Sequence, residues 1–182
     1  MHFTFVDRVL ELQPGTKITT VKCLSLAEEY LGDHFPRFPV MPGVLMLQAM
    51  TDASALLIGA TEDFKHSIVT LKEARNVRFA GFVEPGRVLT VTSELVSVEQ
   101  REAQFKTQGL LNGRVAVSGR LVLERYDLAE TRPELAPNDA NLRQHLRARL
   151  ALLYRPEEPL AESNGAPDAE PVSASHDTAR KG

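Results

Sequence analysis

The chain has 182 residues, 43% of them hydrophobic, which suits one globular domain with an appendage. Acidic residues outnumber basic ones by 24 to 21, and the net charge of −3 gives no reason to bind nucleic acid or an anionic membrane. The single cysteine, Cys23, excludes an internal disulfide, reads as a half-buried strand position and fits a reducing cytoplasm.

The first residues, Met1-His-Phe-Thr-Phe-Val-Asp-Arg, lack the charged region and apolar core of a signal peptide. The most informative stretch is His34-Phe-Pro-Arg-Phe-Pro-Val-Met-Pro-Gly-Val-Leu-Met-Leu-Gln48. Its prolines at 36, 39 and 42 fix φ at about −65° and remove backbone donors, so the chain after His34 runs extended and stiff. Gly43 then opens a run to Ala60 that is apolar nearly all round, which predicts a buried helix. The run approaches membrane-span length, but Gln48, Thr51, Asp52 and Ser54 interrupt it and no basic flanks accompany it. A core helix is the reading. Gln48, Thr51 and Asp52 share one face of it. His34 is held close to the helix N-terminus, whose free N–H groups can polarise a carbonyl, and that suits chemistry on a thioester.

Beyond the helix the sequence turns to β. Residues 87–98 are rich in Val, Thr and Leu, with Pro85-Gly86 marking the turn before them. Residues 102–111 and 114–126 flank Asn112-Gly113, a strong hairpin signal. In the second of these strands Val115, Val117, Gly119, Leu121 and Leu123 are expected on one apolar face. Period-two patterning of this kind predicts an antiparallel sheet with one face packed on the helix, an α+β fold.

In the last third, Asn138 or Asp139 after Pro137 is expected to cap a helix running to about Tyr154. Leu142, Leu146, Leu150 and Leu153 fall on one face, with Arg143, Arg147 and Arg149 on others. Such a helix either docks on the body through its leucines or offers its basic side to an acidic partner. From Arg155 onward Pro, Glu, Ala and Ser dominate, which predicts a disordered tail. The expected organisation is a domain over 1–127, a linker and helix over 128–154, and the tail over 155–182.

His2, His66, His145 and His176 lack any motif and read as solvated. No cluster has metal-ligand spacing, and dinucleotide and P-loop patterns are absent, so neither metal nor cofactor is expected.

The His34–Gln48 stretch resembles the signature of the FabZ-type (3R)-hydroxyacyl-acyl-carrier-protein dehydratases, which have a hotdog fold: His-Phe-Pro-Gly-x-Pro, then Pro-Gly-Val-Leu, then Glu-Ala-Met or Glu-Ala-Leu. Residues 5–12 are similar to that family's opening strand, and Arg78-Phe79 with Val83-Glu-Pro-Gly86 to its middle strands. The resemblance covers residues 3–126. It departs at three places. Gln48 stands where the family has its catalytic Glu, Arg37 replaces a Gly, and Asp33 occupies the position of the Gly before the histidine. The family commonly has Gln where this chain has Asp52, so acid and amide stand exchanged.

The resemblance implies dehydration of a 3-hydroxyacyl thioester on acyl carrier protein, with sites at the interface of a homodimer or of a heterodimer with a homologue. His34 would be the base, with an unperturbed pKa of about 6.5, and Gly43 N–H a donor to the enolate. Phe35, Arg37, Met41 and Val44 join Gly43 as candidate substrate contacts. Gln48 and Asp52 are the candidates for the acid position. A glutamine cannot deliver a proton as a carboxylic acid can, whereas a buried Asp52 could have a raised pKa suited to it. Two other readings stay open: a hotdog thioesterase in which Asp52 directs water, and an acid-deficient subunit that needs a partner chain. Arg37, Arg78 and Arg87 are candidates for meeting the acidic carrier.

Overall fold

Asn112 and Gly113 adopt φ of 50° and 77°, the left-handed pair that a two-residue hairpin requires. They join β5 (Glu102–Leu111) to β6 (Arg114–Tyr126) at the centre of a six-stranded antiparallel sheet. The computed structural model describes residues 4–155 apart from Pro36. The other strands are β1 (Arg8–Gln13), β2 (Lys17–Cys23), β3 (Ile68–Phe79) and β4 (Val88–Val98). They lie in the order β1-β2-β4-β5-β6-β3, so β1 and β3 form the two edges.

The helix α1 (Gly43–Thr61) packs against β2 to β6, as an apolar helix must if it is to leave water. Met46, Ala49, Met50, Ala53 and Leu57 meet Ile18, Leu89, Val91, Phe105 and Leu121 in one core. Two buried hydroxyls settle its rotation. Ser54 Oγ donates to Met50 O at 2.8 Å and lies 2.8 Å from Ser93 Oγ of β4. This is the hotdog arrangement: a sheet curled around one helix. Length and composition alone would let Gly43–Thr61 cross a membrane, but here it is the core helix of the sheet.

At the far end of α1, Arg125 of β6 is almost fully buried. Its guanidinium pairs with Glu62 and donates to the carbonyl oxygens of Glu99 and Glu102. It ties the end of α1 to the β4–β5 turn. Asp63 and Phe64 follow at φ of 49° and 51°, turning the chain back into β3.

The second helix, α2 (Ala136–Leu153), has Pro137 in its first turn and no side-chain cap. Asp139 is not that cap. Its carboxylate is buried and accepts the N–H groups of Leu128 and Ala129, each at 2.9 Å, together with the Ser67 hydroxyl. The free N–H groups of the preceding short turn captured the carboxylate that the sequence offered to the helix. Leu150 and Leu153 pack on the core, while Leu142 stays exposed. Arg143 pairs with Asp127 and Arg147 with Asp63. The helix therefore docks through its arginines as well as its leucines, and Arg143 and Arg147 do not form a free basic face.

Two smaller expectations also change. Cys23 is exposed at the end of β2. The pairing of Gly109 with Val117 and of Leu110 with Val115 skips a residue, so Val115 turns outward and Ala116 is buried. A bulge inverts the alternation at that point. The tail over 156–182, with its predicted disorder, lies outside the described residues, as do His2 and His176.

Candidate active site

The start of α1 is built by backbone pairing rather than by a cap. Met41, almost fully buried, donates its N–H to Val83 O at 2.9 Å, and Pro42 follows as the N-cap residue. Proline offers no side-chain cap, and the first N–H groups of a helix have no partner within it. Gly43 lets the Phe79 ring lie close against the helix start. A Cβ at this position would come within 3.1 Å of the Phe79 ring at the end of β3.

His34 is half-buried, and its ring centroid lies 4.4 Å from that of Phe35. Phe35 has φ of 50°, a left-handed conformation costing about 1–3 kcal/mol for such a residue and typical of functional loops. The turn is closed by Phe38 N–H on Phe35 O at 2.7 Å. Phe38 then meets Phe82 edge-on at 5.8 Å. Phe35, Phe38, Val44, Phe79 and Phe82 are each half exposed or more. That much aromatic surface beside a helix start marks a binding face. Phe79 and Phe82 are not among the sequence candidates for the site, although both fall within the Arg78-to-Gly86 stretch that carries the similarity.

Gln48 and Asp52 are brought together. The Gln48 side-chain amide donates to Asp52 Oδ1 at 2.7 Å. Gln48 is exposed on the open side of α1 and Asp52 is half-buried. Burial holds the Asp52 carboxyl above the usual carboxylate range, while the Gln48 hydrogen bond and the charge of Arg149 on α2 pull against it. Thr51 leaves this pair: it is buried, with its hydroxyl on Leu47 O at 3.0 Å. Among the described residues no hydrogen bond links His34 to Gln48 or Asp52 of the same chain.

Arg37 and Arg87 are exposed. Arg78 belongs to β3 rather than a turn. It opens with Glu94, Lys106 and Arg120 onto a depression of about 450 Å³ on the outer face of the sheet, so it does not join the other two. His66 is not solvated: its Nδ1 is buried without a hydrogen-bond partner. It offers a nitrogen within 4.8 Å of Asp127 and Glu130 oxygens, a grouping that spacing in sequence did not reveal. Both carboxylates are already engaged, Asp127 by Ser67 N–H and Arg143, Glu130 by Asp127 N–H and Arg101. The trio reads as a capped turn rather than a metal site.

Residues 1–125 match the FabA-like domain. The chain belongs to the FabA-like family. Among the relatives of this FabA-like chain is a 3-hydroxyacyl-[acyl-carrier-protein] dehydratase FabZ of Ruminiclostridium cellulolyticum. It is 34% identical over 119 residues, covering 65% of this chain and 84% of the relative. A protein of the same name from Albidiferax ferrireducens is 40% identical over 123 residues, covering 65% and 81%. Among solved structures, the dehydratase heterocomplex ApeI:P from Xenorhabdus doucetiae aligns with a TM-score of 0.61 at 17% identity. The alignment covers 73% of this chain and 90% of that one, a likeness of fold. The family match ends where β6 ends, so α2 is an addition to the FabA-like body.

Proposed function

We propose that this chain dehydrates a (3R)-3-hydroxyacyl thioester carried on acyl carrier protein to the trans-2-enoyl thioester, in fatty-acid or related acyl-chain synthesis in the cytoplasm. The observation that carries the reading is a half-buried histidine on a strained, proline-rich loop that leads into an uncapped helix start, within a family whose similar members are named as such dehydratases.

The thioester carbonyl accepts the Gly43 N–H, which stabilises negative charge developing on its oxygen. The His34 imidazole takes the C2 proton, and the C2–H electron pair forms the C2–C3 double bond as the C3–O bond breaks. The hydroxyl departs as water once a proton reaches it. Phe35 and Val44 bound the thioester end, the buried Met41 supports the helix start from the core rather than touching substrate, and Arg37 and Arg87 meet the acidic carrier. Two copies pair through the free edge of β3 and the open side of α1, which brings the His34 of one copy to the helix of the other.

Gln48 limits the last step. An amide has no acidic proton, and losing a general acid costs about 10²–10⁴ in rate. Its hydrogen bond to Asp52 favours one further reading, in which the acid comes from a homologous partner chain. Purified protein incubated with a 3-hydroxyacyl-carrier thioester tests both. Slow enoyl product that depends on His34 supports the proposal. Product only after a Glu-bearing homologue is added supports the second reading, and free thiol without enoyl product would indicate hydrolysis instead.

A further inference from the structure

The helix that lies beyond the family match closes a cavity beside the candidate site. Asp52, Ala55, Leu56 and Gly59 form one stripe of α1, running about 10 Å along the axis. Between this stripe, the first residues of β3, and Leu146 and Arg149 of α2 lies a space of about 350 Å³. One end is Asp52, hydrogen-bonded to Gln48. The other is Phe64, packed so closely on Gly59 that a Cβ there would fall 2.6 Å from the ring.

α2 fixes this space twice over. Leu146 lines it directly. Arg147 donates to Asp63 O at 2.6 Å and lies 6.0 Å over the Phe64 ring, so the same helix holds the floor in place. The buried Asp139 anchors the helix to the body. The lining is mostly apolar, with polar groups at Asp52, His66, Ser67, Thr70 and Arg149.

We infer that α2 sets the acyl-chain selectivity of this site: the chain lies along the Asp52–Gly59 stripe, Leu146 limits its length, and Phe64 is the floor. The inference rests on the acyl-thioester reading above. The occupant follows from position, because the cavity begins one helical turn from the residue at the family's acid position. At about 350 Å³ it stands at the low end of ligand pockets, roughly 300–1,000 Å³, which selects short unbranched chains over long ones.

The test is binding, which needs no acid step. Dissociation constants are measured for saturated acyl-carrier-protein thioesters of increasing chain length, on the full chain and on Leu146→Ala and Leu146→Phe, with thermal melts confirming the fold. The expected result is a wild-type preference for short chains. Leu146→Ala moves the optimum to longer chains, improving them relative to the shortest by about tenfold or more, the discrimination a methylene or two supplies. Leu146→Phe moves it the other way. A purely structural α2 predicts lower melting temperatures with the ranking unchanged. That ranking, or a flat wild-type profile from a cavity filled by a partner's side chains, overturns the inference while leaving the dehydratase reading intact. Failure of the wild type to bind any acyl carrier overturns both.

Discussion

The Gln48 amide donates to the Asp52 carboxylate at 2.7 Å, one turn further along a helix whose other hydroxyl side chains, Thr51, Ser54 and Thr61, bond to backbone carbonyls. The carboxylate is therefore oriented by Gln48 and stands about 6 Å of helix rise beyond it. That is large beside the roughly 0.5 Å tolerance of a productive site. On the proposed dehydratase reading, in which Gln48 stands at the acid position, the pair keeps the polar groups of the site while moving the acid out of place.

The pair makes a pH-dependent prediction. Burial raises the Asp52 pKa in the folded chain above its unfolded value. Its contribution to stability is then fully present below the unfolded pKa and lost as pH rises through the folded one. Asp52→Asn cannot ionise and can still accept the Gln48 hydrogen bond. Its melting temperature should match wild type in acid and exceed it increasingly towards neutral pH. A variant less stable than wild type at neutral pH would mean that the carboxylate is favoured as the anion.

Arg125→Met should be severely destabilising. It leaves Glu62 and the carbonyls of Glu99 and Glu102 without their shared donor inside the protein. Breaking a buried pair by removing one partner costs about 3–5 kcal/mol. At about 2–4 °C per kcal/mol for a chain of this size, thermal unfolding should come down by roughly 10 °C. A shift within a degree or two would show that water replaces the guanidinium.

The sequence was most legible where local chemistry leaves few choices. Asn112-Gly113 marks both hairpin strands to the residue, and the proline-rich lead-in with Gly43 places the start of α1. The β3 strand could not be read this way. Its Lys72-Glu-Ala-Arg-Asn76 run lies on an edge strand with both faces open to water, so it lacks apolar alternation. Asp139 was misread because Asp near a proline fits a cap, while its actual partners, Ser67, Leu128 and Ala129, are set by tertiary structure. Phe79 and Phe82 gained significance only when folding put them beside Gly43 and Phe38.

The exposed rim of Phe35, Phe38, Val44, Phe79 and Phe82 and the unpaired edge of β3 predict self-association. Sedimentation should give a dimer or an assembly of dimers at micromolar concentration. Val44→Lys, which puts a charge on the open side of α1, should shift it towards monomer. A wild-type monomer at that concentration would count against a site shared between two copies.

The most direct test of the dehydratase reading is the rate of enoyl-thioester formation from a 3-hydroxyacyl-carrier substrate in wild type, Gln48→Glu and His34→Ala. Wild-type turnover should be slow, and Gln48→Glu should gain some part of the roughly 10²–10⁴ that a general acid supplies. A folded His34→Ala should show no turnover, alone or combined with Gln48→Glu. Fast wild-type dehydration that Gln48→Glu does not improve, or turnover that survives loss of His34, would contradict these expectations.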